Sequence, residues 1–287
     1  MAQTIGIVGL GLIGGSMAKA IKANTDDRVL ACDLDKAVLD AALRDGAADE
    51  AASARKLAAG SDIVFVALFP EAAVDYITRH AGDFRPGTIV CDLCGVKRVI
   101  QRNCADRLAE RGVRYVGGHP MAGKEFSGYA YSDPAMFRDA SFILATDKAD
   151  PEAVETLEQY LLRLGFGRVT KTTAKQHDRV IAFTSQLAHV VSGAYVKSPA
   201  ADDFFGFSAG SFKDLTRVAK LDPDMWTELF LLNAHPLCQE IDILIRHLEE
   251  YRRAIGDGDA DRLRALLEEG SERKIACNER ERQDREA

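Results

Sequence analysis

The chain has 287 residues, 47% hydrophobic and 28% charged, enough for one large or two medium soluble domains. With 44 acidic against 37 basic residues the formal net charge is -7, which offers no basic face to nucleic acid or to an anionic membrane. No apolar window approaches the ~18 residues that span a bilayer, MAQTIGIVGLGLIGG has no basic n-region, and six scattered cysteines make no disulfide framework, so a cytoplasmic location is expected.

Up to about residue 171, short apolar runs alternate with helix-like stretches. Segments 4–8, 28–32, 63–68, 88–92, 113–116, 141–145 and 167–170 are rich in strand-forming residues, several of them continuous rather than alternating, as strands of a buried parallel sheet are. Helical spacing lies between them at 14–23, 35–45, 71–80, 96–111 and 151–164. At the last of these, Asp150-Pro151-Glu152 places a capping residue, a proline and an acid at a helix start. Repeated βα units predict an α/β Rossmann-type, doubly wound, mostly parallel sheet over residues 1–171.

Beyond that point the strand signal stops. Segments 174–197, 211–220, 224–254 and 258–283 have helical spacing, and His235-Pro236 predicts a kink within the third. Residues 172–287 therefore read as an all-α C-terminal domain. Roughly 115 residues with broad apolar faces have little core of their own. Their stripes are expected to bury against the first domain or a second copy, and a homodimer through this half is the prediction. The last 15 residues are charged and read as solvated or frayed.

The first strand runs into Gly9-Leu10-Gly11-Leu12-Ile13-Gly14, a G-x-G-x-x-G turn that opens a helix. Gly9 makes the tight turn, Gly11 lets a pyrophosphate approach the backbone, and Gly14 lets helix and strand pack closely. The helix start at Leu12 and Ile13 offers free N–H groups. Such a turn is weak evidence alone, but here it has a strand before it and a helix after. Asp33 stands at the end of the second strand, where a carboxylate accepts from ribose hydroxyls and repels a 2′-phosphate. No arginine follows directly, so NAD is expected over NADP, with Asp35 and Lys36 as possible modifiers.

Segment 117–128, GGHPMAGKEFSG, follows the fifth strand, which places His119 in a loop at the carboxyl edge of the sheet. Doubly wound folds bind ligands at that edge. The pKa range of histidine suits it to take a proton from an alcohol as hydride leaves the carbinol carbon. A loop histidine making a structural hydrogen bond is the competing reading.

Segment 117–128 resembles the G-G-H-P-[MI]-A-G-x-E-x-S-G motif of the prephenate/arogenate dehydrogenases of tyrosine biosynthesis. The resemblance extends to Gly9–Ser16, to Asp92 with Val96-Lys97, to SQLAHVV at 185–191 and to FKDLTRVAKLDPDMW at 212–226. It implies an N-terminal NAD(P)-binding domain joined to a helical dimerisation domain, and oxidative decarboxylation of prephenate to 4-hydroxyphenylpyruvate with NAD taking hydride. Arogenate is the alternative substrate, and a non-catalytic NAD sensor the alternative class. By the same resemblance His119 is the catalytic histidine at the C4 hydroxyl, Arg217 binds a substrate carboxylate, and His189 lies near the substrate side chain, where it would favour a keto group. Lys124, Glu125 and Ser127 contact substrate or order the loop, and Asp214 and Trp226 act as supports.

Two departures stand out. Gly95 occupies the place of a family serine, so Cys94, a water or the backbone is expected to substitute for the hydroxyl. Gln186 stands where some relatives carry a second histidine, which would alter how the substrate side chain is read. Cys91-x-x-Cys94 has no second cysteine pair or nearby histidine for zinc, and no metal is expected. His80, His177 and His247 lie on charge-rich helices and read as solvated or capping.

Overall fold

The computed structural model describes residues 2–207 and 210–286. Continuous burial marks the central strands: β4 (Ile63–Val66) and β5 (Ile89–Asp92) have no exposed position, and β1 (Thr4–Val8) has only its first residue partly exposed. With β2 (Arg28–Cys32), β3 (Glu50–Ala51), β6 (Arg114–Pro120), β7 (Ser141–Ala145) and β8 (Arg168–Thr172) they form one eight-stranded sheet in the order β3-β2-β1-β4-β5-β6-β7-β8. Every neighbouring pair is parallel except β6–β7. The expected mostly parallel α/β sheet is present, and strand order reverses at β1, with β2 on one side and β4 on the other.

Alternate strand residues feed two cores. Ile5, Ile7, Phe65, Cys91 and Val116 pack with Met17, Ile21, Leu157 and Leu161 of the helices α1 (Leu12–Asn24) and α6 (Pro151–Arg163). Val8, Val64, Val66 and Val90 pack with Ile77, Ile100 and Leu108 of α4 (Pro70–His80) and α5 (Arg98–Ala109). The two-residue period of a strand produces this division. Local chemistry starts the helices: Asp35 caps α2 (Lys36–Arg44), Ser53 caps α3 (Ala54–Gly60), and Asp150 accepts from the Ala153 amide ahead of Pro151.

Some elements differ from the sequence reading. β3 and α3 carry no periodic signal, one being two residues long and the other the Ala/Gly-rich ARKLAAG. The fifth expected strand is longer: β6 continues to Pro120 because Gly118 and His119 pair with Leu144 and Ile143 of the antiparallel β7. His119 thus sits in a strand rather than a loop.

By contact, residues to Ala234 make one compact unit and those from His235 another. The first unit includes a helix that begins as α7 (Ala174–Ile181), widens into a π-turn (Ala182–Leu187) and ends as α8 (Ala188–Tyr195). α9 (Gly210–Thr216) and α10 (Pro223–Leu232) follow. The expected 224–254 helix is broken at Asn233, which leaves Pro236 in the first turn of α11 (Ala234–Gly256), where a missing N–H costs nothing. In the second unit, Tyr251 of α11 donates to the Leu266 carbonyl of α12 (Ala260–Glu286) at 3.0 Å. The charged tail stays helical to Glu286, with an i,i+4 Arg273–Glu269 pair.

Candidate functional site

The carboxyl ends of β1 and β4 hold the glycine turn. Gly9 has φ +83°, and a Cβ there would lie 2.5 Å from the Ala67 carbonyl oxygen. A Cβ on Gly14 would lie 1.8 Å from the Gly9 carbonyl oxygen, so only glycine lets α1 approach the strand. Gly11 differs: a Cβ would meet nothing within 4 Å. It opens α1 without a side-chain cap, which leaves the first amides, at Leu12 and Ile13, for an anion beside the positive helix end. Open space, free amides and a helix dipole fit a dinucleotide pyrophosphate.

Asp33 staples this edge. Its carboxylate accepts from the Leu10 amide at 2.6 Å and the Asp35 amide at 2.9 Å, one bond per oxygen, so each oxygen keeps acceptor capacity for a ribose hydroxyl. Leu34 beside it is fully exposed and apolar. Asp35 is occupied capping α2, and Lys36 pairs with Asp40 at 2.6 Å within that helix.

Four strands along, His119 Nδ1 lies 2.9 Å from His177 Nε2, and His177 Nδ1 lies 2.8 Å from Asp178 Oδ1. Asp178 also accepts from the Lys97 and Arg98 amides at the start of α5, at 2.7 and 3.0 Å. A carboxylate with three donors around it only accepts, so the proton belongs on His177 Nδ1. His177 Nε2 then accepts from His119 Nδ1–H, and His119 Nε2 carries the free lone pair. Burial, with His177 and Lys97 adding to it, holds the His119 pKa well below the usual imidazole value. Burial also lowers His177, against the opposing pull of Asp178. His119 is arranged as a neutral proton acceptor.

Beneath it lies a buried ion pair. Lys97 and Asp92 are fully buried and bonded to each other, and Tyr115 donates to the other Asp92 oxygen at 2.7 Å. The Lys97 ammonium also donates to the carbonyl of Gly118 at 2.5 Å. That carbonyl immediately precedes His119, so α5 grips the histidine through its own strand and through Asp178.

The helical part of the first unit carries the remaining predicted residues. His189 Nδ1 donates to the Ser185 carbonyl at 2.9 Å, and its ring stacks on Trp226 with centroids 3.7 Å apart. Ser192 donates to the Leu215 carbonyl at 2.8 Å, tying α8 to α9. This brings exposed Arg217, just past α9, close enough to contribute after burial to the lowered His189 pKa. Trp226 thus forms the face on which His189 rests. Lys124 turns into its own loop, bonding the Tyr131 carbonyl and Asp133 at 3.1 Å each, while Glu125 is exposed beside it.

The two departures have geometric answers. A Cβ on Gly95 would reach Leu229 at 3.3 Å, so α10 covers the place of the family serine. Cys94 does not replace that hydroxyl, since its buried thiol points to the Leu68 carbonyl at 3.3 Å. Cys91 and Cys94 belong to the two different cores and do not converge. Gln186 is 1% exposed, and both ends of its amide are engaged inside the protein, with Asn233 and the Leu229 carbonyl. It reads no substrate side chain directly.

Two family models match the chain. The prephenate dehydrogenase nucleotide-binding domain matches residues 17–170, and the prephenate dehydrogenase dimerization domain matches residues 173–269. The chain belongs to the prephenate dehydrogenase family. A cyclohexadienyl dehydrogenase of Zymomonas mobilis is 33% identical over 286 residues, covering 95% of each chain. A prephenate dehydrogenase of Bacillus subtilis is 32% identical over 276 residues, covering 92% of this chain and 73% of that one. The prephenate dehydrogenase of Aquifex aeolicus, solved with hydroxyphenyl propionate and NAD+, superposes with a TM-score of 0.86 at 26% identity over 96% of this chain and 99% of that one.

Within this family member, sequence reasoning misses one pair at the site. His177, read there as solvated or capping, is 2% exposed and bonded to His119. The adjacent dipeptide His177-Asp178 after a Thr173 cap is the signal that was available, since two buried polar neighbours on an amphipathic helix need partners. His80 instead pairs with Asp83 at the end of α4, and His247 with Glu250 on the surface of α11.

Proposed function

We propose that the chain oxidises prephenate to 4-hydroxyphenylpyruvate and CO2 with NAD, His119 being the proton acceptor. The observation that carries this reading is the His119–His177–Asp178 chain, which leaves a neutral imidazole nitrogen free on the sheet whose edge also bears the glycine turn. NAD, when bound, supplies the acceptor for the hydride from C4. Gly9, Gly11, Gly14 and Asp33, with the Leu12 and Ile13 amides, hold the dinucleotide.

His119 Nε2 takes the proton of the C4 hydroxyl as its oxygen becomes a carbonyl. Loss of CO2 from the ring carboxylate then sends an electron pair through the ring to that oxygen, and His119 returns the proton to the phenolate. Aromatisation supplies the driving force, so the protein's work is positioning and one proton. Arg217 binds a carboxylate of the substrate with its planar two-pronged donor, beside His189. Lys124 holds the 121–133 segment in shape, and exposed Glu125 beside it is assigned to contact with the substrate.

A second substrate reading rests on His189. Its Nδ1–H is committed to the Ser185 carbonyl, so the neutral ring offers only an acceptor at Nε2. That nitrogen suits the ammonium of arogenate, whereas the keto oxygen of prephenate needs a donor there. The same enzyme then acts on the amino acid form with the carboxylate still on Arg217.

The assay is direct: absorbance of reduced cofactor with prephenate or arogenate, each with NAD or NADP. Signal with prephenate and NAD is expected. Silence in all four pairs defeats the reading, and signal with arogenate alone moves the substrate to the second one. His119→Asn is expected to lose ~10²–10⁴ in kcat.

We also infer a homodimer through residues 172–287, with residues 1–171 as the NAD-binding domain. Exposed Ile243, Ile245, Leu248 and Ile255 on α11 support it, as does the dimerization-domain match. Light scattering at the mass of one chain would refute it. A cytoplasmic location fits the free thiols of all six cysteines, and among the described residues no helix is long and apolar enough to cross a membrane.

A further inference from the structure

Asn233 and Gln186 are almost wholly buried, at 2% and 1% exposure. One amide nitrogen of Asn233 donates twice, to the Asp178 main-chain carbonyl at 2.8 Å and to Gln186 Oε1 at 2.7 Å. Gln186 passes the connection on to the Leu229 carbonyl at 3.2 Å. Asp178 is where α7 approaches the π-turn, Gln186 lies within that turn, and Leu229 is in the last turn of α10. Two side-chain amides therefore close over the one irregular segment of the 174–195 helix.

That irregularity sets the phase of the helix. His177 and His189 are twelve residues apart. In an unbroken α-helix, at about 100° per residue, they would point roughly 120° away from each other. A π-turn absorbs one extra residue and reduces the difference to about 20°. One side of the helix thus carries both the histidine that meets His119 and the histidine that stacks on Trp226. A π-turn is rare because it breaks the i→i+4 ladder, so it needs support from outside the helix. Asn233 gives it by bonding the Asp178 carbonyl one turn before the π-turn and Gln186 within it.

We propose that Asn233 and Gln186 form a two-amide clasp that holds the π-turn and so acts as a positioning device for the reaction, aligning His177 behind His119 and His189 on Trp226. This rests on the prephenate dehydrogenase reading of the site. The clasp touches neither substrate nor cofactor. It works through the register of two histidines.

The test uses the full chain with Asn233→Ala and Gln186→Met, the latter keeping length and volume while removing both amide functions. Each is expected to lower kcat by ~10–100-fold, the scale of an ångström-sized misplacement. NAD affinity by fluorescence is expected to stay within about twofold. The acidic limb of kcat/KM is expected to move to higher pH as His119 loosens into water. Gln186→His, which restores an acceptor at the same place, should recover most of the rate. Folded variants that keep kcat, KM and the acidic limb within about twofold overturn the proposal, and a lowered Tm with unchanged kinetics does so equally. If Asn233→Ala does not fold, Gln186→Met decides by the same criteria. If the unaltered chain turns over neither prephenate nor arogenate, the functional reading has failed on its own. The clasp is then judged by imidazole 15N shifts of His177 and His189, which must move in the variant while those of exposed His247 stay in place. Unmoved shifts overturn it.

Discussion

The His119 ring meets the His177 ring nitrogen to nitrogen at 2.9 Å, with the Asp178 carboxylate 2.8 Å beyond. Asp178 only accepts, so the tautomer of each ring follows and the last lone pair falls on His119. Burial depresses the His119 pKa further. The acidic limb of kcat/KM is therefore expected below 6.5, the ordinary imidazole value, because the base form survives into mildly acidic solution. A limb at or above that value would contradict the assigned proton positions. Stability carries the same sign. The unfolded chain takes up protons at both histidines that the folded chain refuses, so stability rises with pH and is lost progressively as pH falls below 6.5. Urea midpoints on either side of neutrality measure it.

Asp178→Asn tests the chain without changing its shape. The carboxylate serves three N–H groups, from His177, Lys97 and Arg98. A carboxamide must turn its own N–H2 toward at least one of them, donor against donor, or force His177 into the other tautomer. Loss of at least ~10² in kcat is expected, by the logic of the orienting acid behind a catalytic histidine. NAD binding is expected to be untouched. A near-normal kcat would remove Asp178 from the mechanism.

Gly11 and Gly14 separate binding from folding. A Cβ at Gly14 meets the Gly9 carbonyl oxygen at 1.8 Å, so Gly14→Ala must move α1 and is expected to lower Tm and NAD affinity together. At Gly11 nothing lies within 4 Å, so Gly11→Ala is expected to keep the parent Tm. Its methyl enters the space left for the pyrophosphate, and NAD should bind about tenfold more weakly or worse. Calorimetry and NAD titration on both variants check the contrast. A Gly11→Ala protein that binds NAD normally would place the cofactor elsewhere.

Asp33 couples cofactor choice to the turn itself. Asp33→Ser with Leu34→Arg removes the charge that repels a 2′-phosphate and supplies a partner for it. KM for NAD should rise about tenfold or more and the NADP to NAD ratio of kcat/KM should climb. Because Asp33 also accepts from Leu10 and Asp35, some loss of Tm accompanies the change. An unchanged ratio would mean that Asp33 does not face the ribose.

The sheet was legible because strands such as IVFV and IVCD are short, continuous and rich in β-formers, and the helices through their apolar spacing, with Asp150 ahead of Pro151 marking one start. His119 was visible through its glycine neighbours, although its strand is extended by a pairing with β7 that is non-local and antiparallel. His177 was hidden for a physical reason: its sequence neighbours Lys175, Gln176 and Arg179 are exposed, and the partner that makes it useful is 58 residues away. The π-turn was equally invisible. AFTSQL has no composition of its own, and what sustains it includes Asn233, 47 residues beyond Gln186.

Lys97 and Asp92 allow stability and catalysis to be told apart. Both are fully buried, and Lys97 also holds the Gly118 carbonyl ahead of His119. Lys97→Met leaves the Asp92 carboxylate with only the Tyr115 hydroxyl and the Cys94 amide. An uncompensated buried charge of this kind costs roughly 3–5 kcal/mol. Adding Asp92→Asn neutralises it, so the double variant is expected to regain most of the lost stability in urea melts. The Gly118 carbonyl, however, still lacks its donor. The kcat of the double variant should therefore remain depressed by about tenfold although its fold is restored. Full recovery of both quantities would show that Lys97 serves only to neutralise Asp92, and that His119 is held well enough by β7 and His177.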